Sequence, residues 1–398
     1  MELYLQFGHG MMDHTAKLLR AWRGGGVILS PRDLEPAQLI KTALVADEAG
    51  AEVLLDPQCY VRDADHARLT SHGYWETYKK CSTASLIGGS GARDVVAALG
   101  SLSRALQARQ HILPGLLAAP VDDDWFTVHE NFIDAAIQEF GREPLIATVA
   151  LSEDAVRDEK QIEAVIERAS DWRVDGFYLI GESPRPYLVD DPVWLANMLI
   201  LASGLKLLRR RVIVGYGNHQ MLAFAACNVD VIASGTWLNV RAFPIAKFYA
   251  VEDDEISRRT TWYYCPHVLS EYKVPFLDIA QRHGVLESMR PASGLGSTYA
   301  DGLFAGAQPS TVGWGEQNAF RHYLTCLRGQ CRGLSASGFA EAIEMQGRLL
   351  DEAERGLRSL RSLGVLGNDR DFYQIVDVNR SALTVLERAR GPRLRREW

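Results

Sequence analysis

The chain has 398 residues, 47% of them hydrophobic and 23% charged, which is ordinary for a globular protein and enough for one large domain or a domain with an appendage. A formal net charge of −7 gives no general attraction to nucleic acid, although basic residues gather at Arg209-Arg210-Arg211 and across 388–396. Six cysteines and an N-terminus without a basic stretch and long apolar run point to a reduced, cytoplasmic protein, and no apolar run is long enough to span a bilayer.

Strand and helix patterns alternate from the start. Residues 3–7 read as a strand ending at Gly8-His9-Gly10, with a helix over 13–22. Residues 27–29 form a second strand ending at Ser30-Pro31-Arg32-Asp33, and Pro36 suits the first turn of the next helix. Residues 53–55 are the third strand, ending at Asp56-Pro57-Gln58. The connection over 60–91 is long, carries Tyr74, Trp75 and Tyr78, and ends in glycines, which suggests a functional loop. Strands four to six fall at 112–118, 145–151 and 176–180, the last ending at Gly181-Glu182-Ser183. Residues 212–214, ending at Gly215-Tyr216-Gly217, a helix opened by Asn218, and 229–233 complete the series.

Eight strands with helices between them in about 240 residues match a (β/α)8 TIM barrel over 1–245; an open doubly wound sheet is the alternative. No G-x-G-x-x-G follows the first strand, which disfavours a dinucleotide-binding unit. Residues 246–398 then read as a charged stretch at 251–259, an aromatic segment, an irregular loop at 291–315 and a mostly helical end packed on the barrel.

In such a barrel the chemistry gathers at the carboxyl ends of the strands. That puts Asp56, Gln58, Tyr60, Glu182, Asn218, Asn239 and Arg241 at the mouth, beside Gly181, Gly215 and Gly217. A carboxylate at Asp56 or Glu182 can serve as general base or hold the edge of a heterocycle, or it can simply satisfy internal hydrogen bonds. Trp75 and its neighbouring tyrosines offer rings on which a base would stack.

The order of these strand-end motifs resembles the tRNA-guanine transglycosylase superfamily. Asp56-Pro57-Gln58-Cys59-Tyr60 stands where that family has D-S-G-G-[FY]-Q. Tyr178-Leu179-Ile180-Gly181-Glu182 is similar to its G-G-L-A-V-G-E, Val214-Gly215-Tyr216-Gly217 to its M-G-V-G, and Val229-Asp230-Val231-Ile232-Ala233 to its V-D-M-F-D. Asn239-Val240-Arg241-Ala242 resembles N-A-R-N. The family's nucleophilic aspartate falls at Ala233, so the resemblance implies a divergent relative working on a nucleobase in tRNA or DNA, with Asp56 and Glu182 as the remaining acids. It also implies zinc after the barrel, for which Cys265, His267, Cys326 and Cys331 supply the ligand types at a different spacing.

Two other readings come from different classes. Gly215, Gly217, Gly235 and Thr236 could cradle the phosphate of FMN with backbone N–H groups, giving an oxidoreductase. The chain could instead be a non-catalytic subunit that binds nucleic acid, with protein partners or a second copy on its C-terminal helices.

Overall fold

The computed structural model describes residues 1–250 and 260–398; the charged stretch 251–259 lies outside the described residues. Its sheet contains β1 (Glu2–Gln6), β2 (Gly26–Leu29), β3 (Glu52–Leu55), β4 (His111–Ile112), β5 (Leu117–Ala118), β6 (Leu145–Leu151), β7 (Gly176–Gly181), β8 (Arg211–Val214) and β9 (Val231–Ser234). All pairings are parallel, in the order β3-β2-β1-β9-β8-β7-β6-β4, with β5 also on β6. β4 and β5 are two halves of one stave, pairing at Ile112↔Ile146 and Leu117↔Ala150. The break between them contains Pro114 and Gly115, and proline has no N–H for a ladder. Eight staves thus form a nearly closed TIM barrel, its seam lying between β3 and β4. Above the seam the Leu117 N–H reaches the Tyr60 carbonyl at 3.0 Å.

The strands are buried almost end to end, because helices cover one face and packed side chains the other. The helices follow their sequence signals. Pro36 opens Pro36–Glu48, where Glu35 and Gln38 cap reciprocally. Asp122 caps Asp123–Phe140, and Asp191 caps Pro192–Leu207.

Two connections differ from the sequence expectation. Residues 60–91 are not an open loop: Ala67–Thr70, Gly73–Lys80 and Thr83–Ile87 are short helices leading into Ser90–Ala105. After β8 comes a fully buried 3-10 run, His219–Cys227, instead of an outer α-helix. The C-terminal helices cover it. Gln346 Nε2 in Phe339–Ser362 donates to the Leu222 carbonyl, and Gln220 Nε2 donates to Asn379 Oδ1 in Ile375–Glu397. Ile375–Glu397 also packs along Pro192–Leu207. That contact explains why Pro192–Leu207 is apolar on every side: it is buried between the sheet and a second helical layer. An antiparallel hairpin, β10 (Trp262–Cys265) and β11 (Ser270–Lys273), returns to the C-terminal end of the staves.

The barrel interior is polar at its amino-terminal floor. Arg211 forms a 2.7 Å ion pair with Glu52, and Tyr4 donates to Glu52 at 2.5 Å while accepting from Arg211 at 2.7 Å. Gly26 makes room for the Tyr4 ring, since a Cβ there would sit 2.3 Å from it.

Candidate active site at the barrel mouth

Asp56 directly follows β3 and points inward, with none of its surface exposed. Its Oδ1 accepts from the Tyr60 hydroxyl at 2.6 Å and the Gln58 N–H at 3.0 Å; its Oδ2 accepts from the Tyr216 hydroxyl at 2.7 Å and the Tyr178 hydroxyl at 3.4 Å. The network extends outward. Gln58 Nε2 donates to the Tyr216 oxygen at 3.0 Å and to Ser30 Oγ at 2.8 Å, its Oε1 takes the Arg32 N–H, and the single Tyr178 proton is shared between Asp56 and the closer Gln6 Oε1 at 3.0 Å. Gly215 exists here for space: a Cβ would lie 2.5 Å from the Tyr178 ring.

Two of these residues hold strained backbones. Gln58 has φ 57° and Tyr216 has φ 54°, while Arg23, Asn228 and Leu269 adopt comparable angles at helix ends, where that conformation is routine. A left-handed non-glycine residue costs on the order of 1–3 kcal/mol, and such residues cluster at functional sites.

A lysine covers the network. Lys247 Nζ lies 3.3 Å from the centre of the Tyr216 ring, among Phe243 and Phe248, and donates to the Asn239 carbonyl at 3.1 Å. Phe243 packs edge-on against Tyr60, the centroids 5.0 Å apart. Burial, the largest influence, pushes the Lys247 ammonium well below its usual range, though Asp33 and Asp56 pull the other way. Burial also raises the Asp56 carboxyl, and the donors from Tyr60, Tyr216 and Gln58 and the charge of Lys247 do not overcome it. An acid that resists ionisation and an amine that resists protonation therefore share one tyrosine.

A second cluster lies beside it. Glu271 on β11 pairs with Arg241 at 3.1 Å and Arg370 at 2.7 Å and accepts the Tyr187 hydroxyl. The Arg241 guanidinium stacks 3.5 Å from the centre of the Tyr323 ring, and its Nε donates to the Gly235 carbonyl. Burial would raise the Glu271 carboxyl, but the two guanidiniums outweigh it and bring it to about 2.

The structure divides the residues singled out from sequence. Asp56, Gln58 and Tyr60 share the first network; Asn239 reaches it only through its carbonyl. Arg241 belongs to the second cluster, and Asn218 is tied there, donating to the Tyr187 and Arg241 carbonyls. Glu182 is partly exposed and accepts the Glu153 N–H, capping a helix, with no hydrogen bond to Asp56. Gly181 gives space to Trp194 and Met198. Trp75 is not a stacking platform: it is 1% exposed and packed on Tyr78, while Tyr74 and Tyr78 donate to the Pro57 and Cys59 carbonyls and brace the turn after Asp56.

Two of the four phosphate-cradle donors, the N–H groups of Gly215 and Gly217, are committed. The Gly215 N–H bonds to the Leu179 carbonyl, the Gly217 N–H to the Ala233 carbonyl, and Asn218 Oδ1 takes the Gln220 N–H. The residues proposed for zinc do not converge. His267 faces the Arg290 carbonyl and Glu352, Cys265 donates to the Met289 carbonyl, and Cys326 lies against His322. Among the described residues no three His, Cys, Asp or Glu side chains are placed to hold a metal ion, so these four do not fit zinc as they stand.

Tyr178, Tyr216 and Lys247 were missed as partners of Asp56, as were Glu271, Arg370 and Tyr323 around Arg241. An inward-pointing tyrosine carries no signal in a strand without alternation. Glu271 stands out only as a lone acid in an aromatic stretch.

No protein-family model matches the sequence, and no curated protein is similar to it. Among solved structures, the chain is similar to an endo-beta-1,4-glucanase from Xanthomonas axonopodis pv. citri, at 13% identity over 65% of this chain and 94% of that one, TM-score 0.38. It is also similar to a thiamine phosphate pyrophosphorylase from Pyrococcus furiosus, at 11% identity over 62% and 90%, TM-score 0.32. A homocysteine methyltransferase from Escherichia coli gives 14% identity over 58% and 90%, TM-score 0.33. Likenesses this slight carry no argument about activity. The strand order alone defines the class, a fold of the kind TIM-barrel enzymes have. Among the described residues no helix is long and apolar enough to cross a membrane.

Proposed function

We propose that the protein acts on a nucleobase-type heterocycle at the carboxyl end of the barrel, as a divergent transglycosylase-like enzyme with Asp56 as its acid–base group. The observation that supports this reading is the fully buried Asp56 gripped by tyrosine hydroxyls, two of its supports being held in left-handed backbone. In cleavage, Asp56 gives its proton to the base nitrogen as the C1′–N bond breaks, and water adds to C1′ while losing a proton to the Asp56 carboxylate, or an incoming base adds there instead. In the reverse direction its carboxylate takes the proton back from the incoming base. Ala233 is buried where the resemblance places a nucleophile, so the reading needs no covalent intermediate. Entry requires the segment carrying Phe243, Lys247 and Phe248 to swing off Tyr216.

The test is exchange of labelled guanine into tRNA and into DNA, with release of free base followed in parallel. The reading expects turnover on one nucleic acid and its loss in Asp56→Asn. Absence of exchange, of release and of saturable binding of free purine would overturn it. Flavin absorbance in the purified protein would restore the FMN reading against it.

A further inference from the structure

Beside the Arg241–Glu271 cluster lies a cavity of ≈ 50 Å3, lined by Thr236 and Arg241 from the segment that follows β9, by Glu271 and Trp262 from the hairpin, and by Tyr323 and Arg370 from the C-terminal region. Two features of its lining point to a ligand. First, two guanidiniums reach the cavity: Arg241, 2% exposed, and the partly exposed Arg370 both line it and share Glu271, while the partly exposed Glu316 brings the formal charge of the lining to zero. Second, two hydroxyls are unspent. Thr236 Oγ1 and the Tyr323 hydroxyl are buried and have no hydrogen-bond partner among the described residues; Ser234 and Tyr187 approach the latter without bonding geometry. Both can donate, and a buried donor without an acceptor is rare in a folded protein.

We infer that this cavity is a binding site for a small oxyanion group, a phosphate or carboxylate, held by Arg241 and Arg370 and by the hydroxyls of Thr236 and Tyr323. A planar guanidinium fork suits such a group. The aromatic walls keep the local dielectric low and strengthen the charge. A larger cleft of ≈ 560 Å3 shares Leu238, Trp262 and Arg370 with the cavity and gives room to the remainder of the ligand. The inference is independent of whether Asp56 acts on a base.

The test is calorimetric titration of the full-length protein with inorganic phosphate and, separately, with acetate, alongside thermal melts in each. Saturable binding is expected, with a melting temperature that rises with ligand concentration. Thr236→Val and Tyr323→Phe keep shape and remove one donor each, so each should weaken binding about tenfold, and Arg370→Gln more than tenfold. The surface variant Arg104→Gln should bind as the wild type does. The tighter of the two anions identifies the group. No saturable binding of either anion below about 10 mM, or undiminished binding in both hydroxyl variants, would overturn the inference.

Discussion

Two carboxylates at the same end of this barrel are fully buried, both accept a tyrosine hydroxyl, and they are held in opposite states. Asp56 sits among phenols, with the Lys247 amine over the Tyr216 ring instead of in contact with the carboxyl, and its carboxyl is raised. Glu271 sits between two guanidiniums in direct contact, and its carboxyl falls to about 2. Burial acts the same way on both; direct guanidinium contact decides the difference. Neighbouring acids pushed apart in this way take different roles. Asp56 is suited to moving a proton, and Glu271 to staying charged and orienting its arginines. On the barrel floor Glu52 also contacts a guanidinium directly, that of Arg211, and accepts the Tyr4 hydroxyl.

The comparison breaks most sharply at Arg241. Arg241→Met leaves Glu271 with one cation and should cost about 3–5 kcal/mol, read from denaturant unfolding. A loss below about 1 kcal/mol would mean that the pair is not the anchor drawn here.

The pH dependence of stability tests the two states separately. A carboxyl lowered from 4.5 to about 2 stabilises the fold by about 3 kcal/mol above the ordinary value, and that contribution fades as pH falls through the interval between them. Glu271→Gln should therefore flatten the acid limb of the stability curve. Asp56 has the opposite sign. Its raised carboxyl favours the fold most at low pH, and the advantage shrinks as pH rises above the usual carboxylate range. Asp56→Asn should cost about 1–3 kcal/mol near pH 4 and less near pH 7, while abolishing any turnover. A variant that unfolds while its folded fraction stays active would make Asp56 structural.

The smallest effect is at the shared tyrosine. Tyr216→Phe removes one donor to Asp56 and should cost about 1 kcal/mol while raising the pH at which activity titrates. An unchanged pH profile would separate Asp56 from the chemistry.

Alternating apolar segments and glycines at strand ends are local signals, so they identified the staves and the end of the barrel at which Asp56, Gln58 and Arg241 lie. The helix start at Pro36 was legible for the same reason, since it rests on the backbone of the proline itself. The all-round apolar character of Pro192–Leu207 was visible too, but the helix that covers it lies far along the chain.

What the sequence could not yield depends on which distant side chains meet. Trp75 looked like a surface ring because short helices were read as an open loop; packing buries it. Cys265, His267, Cys326 and Cys331 looked like a ligand set because residue types were counted without directions. Length, composition and periodicity determined a barrel with a helical appendage. Only the tertiary structure placed Lys247 over Tyr216 and Glu271 between Arg241 and Arg370, because a carboxyl's state depends on the charges and donors within a few ångström, and barrel closure and the returning hairpin bring those from distant parts of the chain.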